Sequence, residues 1–177
     1  MSKVSSLGHV GISVTDMDKM LDFYTRILGL TVTDGGEGRG VFLSASPETE
    51  HHEFLISPQP DRHTNAQQIS FKIESLDELR EMYHSIRDYG IDTFRITNHG
   101  VAIGCYFRDP ENNHVEVYWS TGMDYPQPHG EPIDLDLSTP ELVSIIENMT
   151  PKEGSGPKYY GRDAGKRLLA SVPKMAR

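Results

Sequence analysis

The strongest constraint on the fold of this chain is an internal repeat. The segment HVGISVTDMDKMLDFY from His9 aligns without a gap with QISFKIESLDELREMY from Gln68. Each copy begins with strand-like alternation of apolar and polar residues and continues with apolar positions at helical spacing. A second alignment joins SPETEHHEFLI from Ser46 to DPENNHVEVYW from Asp109. Because the two halves share these segments in the same order, each half is predicted to be a βαβββ module.

The predicted fold class is α+β. Two tandem βαβββ modules, residues 7–57 and 66–121, are expected to form one curved eight-stranded sheet around a shared cleft. Together with the first residues of the chain they make up the paired-module unit, residues 1–121. Residues 122–177 are expected to form a proline-rich wrap, a short helix and a basic tail.

The composition excludes several classes of function. A formal net charge of −9 at pH 7 argues against nonspecific binding to nucleic acid and to anionic membranes. The chain has no run of eighteen apolar residues and no apolar signal region near its first residue, so a cytoplasmic protein is expected. The single cysteine, Cys105, excludes an internal disulfide and is expected to be a packing residue in an apolar strand.

The segment after the second module has its own pattern. A short helix is predicted with Thr139 as its N-cap and Pro140 in its first turn, and it should end near Asn148. From Lys152 to Arg177 the chain carries seven basic and two acidic side chains. We expect this tail to lie on the acidic body of the protein or on a neighbouring subunit, rather than on nucleic acid.

The repeat also selects residues that should face the cleft. His9 is equivalent to Gln68, and Glu53 is equivalent to Glu116. In the last strand of the second module, Glu116 should face opposite to its apolar neighbours, which pack on the helices. A carboxylate in that position needs a partner, and no basic residue of the neighbouring strands is expected to face it. A bound metal ion is therefore the favoured explanation, which makes the cleft a predicted metal cleft.

These motifs carry a resemblance to a known family. The segments GHVGISV, FYTRILGL and RDPENNHVEVYW resemble the vicinal oxygen chelate superfamily over about residues 7–121. That superfamily includes extradiol ring-cleaving dioxygenases, glyoxalase I, methylmalonyl-CoA epimerase and antibiotic-resistance proteins. The segment NHGVAIGCYFRDPENNHVE is most similar to single-unit extradiol dioxygenases, which cleave biphenyl-2,3-diol and catechols.

The resemblance implies roles for particular residues. His9, Gln68 and Glu116 would be metal ligands, and Glu53 would be a fourth ligand, as in the isomerase branches. His99 and Tyr106 would line the substrate side as catalytic residues and hydrogen-bond the substrate hydroxyls. Fe(II) is the expected metal, with Mn(II), Zn(II) and Ni(II) as alternatives.

One of these positions departs from the family pattern, because Gln68 stands where the dioxygenases have a histidine. In the preferred alternative, Glu53 supplies the missing donor strength beside His9, Gln68 and Glu116. Alternatively, His52 or His63 substitutes for the missing imidazole, and a one-residue slip in strand register would put His52 in the pocket as a further catalytic group. In the third alternative the metal site is lost and the cleft binds a ligand without chemistry.

The function expected from the resemblance is a metal-dependent extradiol dioxygenase that acts on a small catecholic aromatic and O₂. The alternatives are a metal-dependent isomerase or lyase of the glyoxalase or epimerase type and a non-catalytic binder of small molecules. By analogy with the superfamily, a homodimer or a higher homo-oligomer is expected.

Overall fold

Two βαβββ modules follow one another in the chain, as the repeat predicts. The computed structural model describes residues 7–36, 40–59, 61, 68–123, 125 and 129–149. The first module consists of β1 (Val10–Val14), α1 (Met17–Asp22) continued by a π-helical turn (Phe23–Ile27), β2 (Thr31–Gly35), β3 (Val41–Ser44) and β4 (Phe54–Pro58). The second consists of β5 (Ile69–Ile73), α2 (Leu76–Asp88), β6 (Thr93–Asn98), β7 (Ala102–Arg108) and β8 (His114–Ser120). After them come β9 (Glu131–Pro132) and α3 (Thr139–Glu147).

The strands form two sheets with the same internal order. The first sheet has the order β1-β4-β3-β2, and the second has the order β5-β8-β7-β6-β9. In each sheet the first two strands are parallel, β1 with β4 and β5 with β8, and the remaining neighbours are antiparallel. The α+β class and the repeated module are confirmed by this topology.

The predicted single eight-stranded sheet is corrected by these hydrogen bonds. Within the described residues the strands are divided into a four-stranded and a five-stranded sheet, and β9 is an addition that the sequence did not predict. Where the modules meet, aromatic side chains fill the space instead of a backbone ladder. The Phe71 ring lies 5.8 Å from Phe54 and 6.1 Å from Tyr24, measured between ring centroids.

One hydrophobic core serves both modules. It receives side chains from β1, β4, β5, β7 and β8 and from the inner faces of the helices. In β8 the side chains of Val115 and Val117 are fully buried in this core. Because successive strand residues point to opposite faces, Glu116 is directed away from the core. Glu116 therefore lies on the polar face of the second sheet.

The N-cap of helix α3 lies one residue before the position predicted from the sequence. Its N-cap is Ser138, not Thr139, and Pro140 lies in the first turn. The backbone N–H of Ser138 donates to the Glu141 carboxylate at 2.9 Å. A serine three residues before a glutamate forms a capping box, which satisfies backbone donors at the helix start, and this explains the shift.

In the described ranges no helix is long and apolar enough to cross a membrane. The cytoplasmic location expected from the sequence stays a prediction. The basic tail from Lys152 to Arg177 lies outside the described residues.

Candidate active site

A row of four polar residues crosses the second sheet. Arg95 of β6 is opposite Tyr106 of β7, Tyr106 is opposite Glu116 of β8, and Glu116 is opposite Ser70 of β5. Residues that are directly opposite on neighbouring strands project from the same face of a sheet. The strand register therefore brings together four side chains from neighbouring strands, although Ser70 and Glu116 are 46 residues apart in the sequence.

Glu116 is the centre of this row. Its side chain is almost buried, with 8% relative exposure. Its Oε2 accepts hydrogen bonds from Gln68 Nε2 at 2.8 Å and from Ser70 Oγ at 2.5 Å, and the Tyr106 hydroxyl also bonds to the carboxylate. A metal ion was the favoured partner of this carboxylate, and in the structure three neutral donors surround it. Hydrogen bonds of this kind stabilise the charged form of a buried carboxylate. The metal site itself stays a prediction.

Gly104 makes room for the Glu116 carboxylate. A Cβ atom on Gly104 would lie 2.5 Å from Glu116 Oε1 and 2.9 Å from Tyr106 Cε2, which is too close for either group to stay in position. Gly104 was not among the site residues predicted from the sequence. A glycine inside an apolar strand was the available signal, since it often marks a close approach by another group.

Tyr106 and His99 continue the polar row as a hydrogen-bonded chain. His99 Nδ1 lies 2.7 Å from the carbonyl oxygen of His129, and His99 Nε2 lies 2.9 Å from the Tyr106 hydroxyl. A carbonyl only accepts, so Nδ1 carries a proton and directs it to His129. In a neutral His99 ring, Nε2 is then an acceptor. Tyr106 has one hydroxyl proton and two acceptors for it, His99 and Glu116.

The environment keeps Tyr106 in its phenol form at neutral pH. Burial, and then the nearby Glu116, raise the pKa of Tyr106 well above its usual 10.0. Arg95 acts in the opposite direction and lowers this pKa, because its guanidinium favours a phenolate. The guanidinium carbon of Arg95 lies 4.0 Å above the centre of the Tyr106 ring. At neutral pH Tyr106 therefore keeps its proton and donates it as a hydrogen bond to one of its two acceptors.

The other expected site residues lie on the first module. His9 is exposed, and its ring centroid lies 4.4 Å from that of His52. His9, Glu53 and Ser70 line one cavity of about 270 Å³. The half-buried Glu53 accepts a hydrogen bond from the backbone N–H of Ala45 at 3.1 Å. Desolvation, followed by the neighbouring His9 and His51, lowers the pKa of the His52 imidazole from 6.5.

The expected metal ligands thus form two pairs. His9 and Glu53 share a cavity, and Gln68 is bonded to Glu116. Ser70 joins the pairs, because it lines that cavity and also donates to Glu116. In the part of the chain that is described, no three His, Cys, Asp or Glu side chains are grouped closely enough to hold a metal ion. His63 lies outside the described residues.

The donor chemistry of the two pairs nevertheless fits a divalent transition metal. One imidazole, two carboxylates and one amide oxygen form a set that suits Fe(II), Mn(II), Zn(II) or Ni(II). In the structure Gln68 directs its amide N–H to Glu116, so ligation through its amide oxygen requires rotation of that amide. The position of His52 beside His9 also supports the alternative in which His52 is the second imidazole.

Comparison with known proteins defines the class. The family model described as Glyoxalase/Bleomycin resistance protein/Dioxygenase superfamily matches residues 6–117. This chain belongs to that superfamily, which confirms the resemblance seen in the sequence.

Three proteins are similar to this chain in sequence. Over 126 residues the chain is 33% identical to the glyoxalase domain-containing protein RDO1 of Mycosarcoma maydis, covering 64% of this chain and 68% of that protein. It is 24% identical over 171 residues to biphenyl-2,3-diol 1,2-dioxygenase 2 of Rhodococcus globerulus, covering 93% of this chain and 77% of that protein. It is 25% identical over 134 residues to a 1,2-dihydroxynaphthalene dioxygenase of Sphingobium xenophagum, covering 72% of this chain and 43% of that protein.

Solved structures show the same fold. The fosfomycin resistance protein FosX of Listeria monocytogenes has a TM-score of 0.56 at 21% identity, covering 67% of this chain and 96% of that chain. The lactoylglutathione lyase of Agrobacterium tumefaciens has a TM-score of 0.54 at 20% identity, with coverage of 67% and 96%. These similarities concern the fold alone.

Proposed function

We propose that this chain is a metal-dependent extradiol-type dioxygenase, which cleaves the ring of a small catecholic aromatic with O₂. The observation that carries the proposal is the chain from Glu116 through Tyr106 to His99, in which a carboxylate, a phenol and an imidazole share a proton. Relatives named as dioxygenases of biphenyl-2,3-diol and 1,2-dihydroxynaphthalene support the same reaction class.

Four residues of the chain are the proposed holders of the metal: His9, Gln68, Glu116 and Glu53. Fe(II) is the first candidate, because the relatives are oxygenases, and Mn(II), Zn(II) and Ni(II) suit the same donors. When bound, such a metal supplies a common binding point for two vicinal oxygen atoms and for O₂. Ser70 fixes the orientation of Glu116 by its hydrogen bond to Oε2.

His99 is the proposed base for a substrate hydroxyl. Its Nδ1 is held by the His129 carbonyl, so the ring presents Nε2 towards Tyr106. When Tyr106 donates its proton to Glu116, Nε2 of His99 is open to a proton from the substrate. An imidazole suits this transfer because one ring nitrogen can accept a proton while the other stays bonded as a donor. Once His99 holds that proton, its Nε2–H donates to the Tyr106 oxygen while Tyr106 donates to Glu116. Tyr106 then links proton transfer to the proposed metal site.

Metal content and O₂ uptake test the proposal together. Wild type and Gln68→His are reconstituted anaerobically with Fe(II), and O₂ uptake is measured with 2,3-dihydroxybiphenyl and catechol. Bound iron with uptake and a ring-fission product is the expected result. Gln68→His should bind iron more tightly, because imidazole is a stronger ligand than an amide. Gln59→His is the control, because it adds an imidazole at an exposed residue after β4.

The isomerase alternative rests on a different observation. Glu53 lies in the same cavity as His9, so the donor set contains two glutamates, one of which can remove a carbon-bound proton. Bound Zn, Ni or Mn without O₂ uptake would replace the dioxygenase by this alternative. A wild-type protein that binds no metal, beside a Gln68→His variant that does, would instead identify a non-catalytic binder.

Self-association is also part of the proposal. We expect a homodimer or a higher homo-oligomer in solution, as the superfamily resemblance implies. Sedimentation velocity of the full chain measures this directly, and a single monomeric species at micromolar concentration would contradict it.

A further inference from the structure

We propose that Arg95 is a specificity-determining residue that binds an anionic substituent, so that the substrate is a catechol carrying a carboxylate side chain. This inference rests on the proposed function, because the catechol hydroxyls are taken to lie at His99 and Tyr106. Three features of the site favour an anionic substituent: the charge of Arg95, its position and the groove beside it.

Arg95 is a cation without an acidic partner in the described part of the chain. The arginines of the helical segments each pair with an aspartate, as in Arg26 with Asp22 and Arg87 with Asp136. Arg95 belongs to none of the ion pairs formed by the described residues. In a chain with 26 acidic and 17 basic residues, an acidic partner would be easy to supply. The positive charge of Arg95 is therefore available for a ligand.

The guanidinium lies beside the reacting position. Its carbon is 4.0 Å above the Tyr106 ring, and the hydroxyl of the same ring is 2.9 Å from His99 Nε2. The cation and the proposed base are thus separated by about the length of one aromatic side chain. A catechol that presents its hydroxyls to His99 can extend a short side chain to Arg95. Arginine binds carboxylates well because its planar fork can make two parallel hydrogen bonds.

A groove beside β6 has room for such a molecule. It has a volume of about 580 Å³ and is lined by Arg95, Thr97 and His99 on one side and by Gly130 to Ile133 on the other. Glu131 is the acidic residue that lines it. Glu131 is opposite Asn98 in the strand register, so its side chain projects on the Asn98 face, away from Arg95 and Thr97. Of the residues that line the groove, Arg95 is the cationic one, and it lies on the opposite sheet face from Glu131.

A pair of matched ligands tests the inference. 3,4-Dihydroxyphenylacetate carries the anionic side chain, and 4-ethylcatechol has a similar size without the charge. Their dissociation constants for the Fe(II)-loaded full chain are measured anaerobically by calorimetry, in wild type, Arg95→Met and Arg95→Lys. Arg108→Met is the control, because Arg108 is also exposed and lies over an aromatic ring, that of Phe94.

Wild type should bind the anionic catechol at least about fivefold more tightly than the neutral one, as for a charge-assisted bond at a partly exposed site. Arg95→Met should remove this preference and leave the neutral ligand unchanged, Arg95→Lys should keep part of it, and Arg108→Met should keep all of it. Equal binding of both ligands by wild type would overturn the inference. So would an equal loss of affinity for both in Arg95→Met, since that result means Arg95 only positions Tyr106. If neither catechol binds and no O₂ is consumed, the proposed function fails and the inference fails with it.

Discussion

Gly104 is the single residue on which the shape of the site depends most directly. Replacing Gly104 with Ala adds a Cβ 2.5 Å from Glu116 Oε1, so the carboxylate and the Tyr106 ring must move. We expect iron affinity and O₂ uptake to fall by about tenfold or more, equivalent to about 1.4 kcal/mol. The free energy of unfolding should fall by about 1–3 kcal/mol, because the added Cβ overpacks a buried site.

Gly11→Ala is the control for this change. A Cβ on Gly11 would make ordinary contact with Leu55, at 3.4 Å or more. Iron titration, O₂ uptake and thermal melting are measured for both variants. Unchanged iron affinity in Gly104→Ala would show that Glu116 does not depend on this close approach.

The thiol of Cys105 should react differently in the folded and the unfolded protein. Burial first, and then Glu116, raise the pKa of its thiol from 9.0 to about 12. At pH 8 the thiolate fraction is therefore about a thousandfold below that of the unfolded chain. We expect a thiol reagent such as DTNB to label the urea-unfolded protein quickly and the native protein very slowly. Fast labelling of the native protein would contradict the burial of this residue.

The same thiol should affect stability at alkaline pH. Its folded pKa is raised, so its contribution is fully present below pH 9 and is lost as the pH rises from 9 towards 12. The free energy of unfolding, measured by urea titration across this window, should fall less steeply in Cys105→Ala than in wild type.

At the scale of elements, one buried hydrogen bond joins the helical segment of the first module to a turn of the second. Tyr24 donates its hydroxyl proton to Asp109 Oδ2 at 2.8 Å, and both residues are buried. The backbone N–H and side-chain N–H of Asn113 also donate to this aspartate. The turn between β7 and β8 is thereby fixed against the π-helical turn that follows α1.

Tyr24→Phe should destabilise the protein by about 1–3 kcal/mol, because it leaves a buried carboxylate oxygen without one donor. Tyr89→Phe is the matched control. Its hydroxyl bonds to the more exposed Asp22 at 3.2 Å, and its loss should cost about 1 kcal/mol or less. Urea unfolding measures both. Equal effects would show that burial of the Tyr24 bond contributes nothing.

The elements differ in how well the sequence predicts them. Helix α2 and strand β8 were predictable, because their apolar spacing follows directly from which face is buried. Strand β9 was not, because two residues, Glu131 and Pro132, are too few to show a period. It exists because the chain returns along β6, and its pairing there accompanies the bond from His99 to the His129 carbonyl.

At the scale of the whole molecule, the junction between the modules is asymmetric. Glu111 Oε1 accepts hydrogen bonds from the backbone N–H groups of Thr15 at 2.7 Å and Asp16 at 2.6 Å, just before α1. Glu48, its counterpart in the repeat, is exposed in a turn of the first module and makes no hydrogen bond or ion pair through its side chain within the described residues.

This asymmetry predicts different effects for two equivalent substitutions. Glu111→Ala should destabilise the protein by about 1–2 kcal/mol, comparable to the loss of a helix N-cap. Glu48→Ala should change the free energy of unfolding by no more than about 0.5 kcal/mol, as is usual at exposed sites. Urea titration of both variants measures the difference. A similar effect in the two would mean that Glu111 does not stabilise the junction.

The modules and the faces of their strands follow from the amino-acid pattern alone. Periodicity and repetition are local properties, so they fixed that Glu116 faces away from Val115 and Val117 and that Glu53 is its counterpart. They could not determine which donors each carboxylate meets, because those donors come from neighbouring strands. The folded arrangement places Gln68, Ser70 and Tyr106 around Glu116, because strand register and the missing side chain of Gly104 bring distant residues within hydrogen-bond distance.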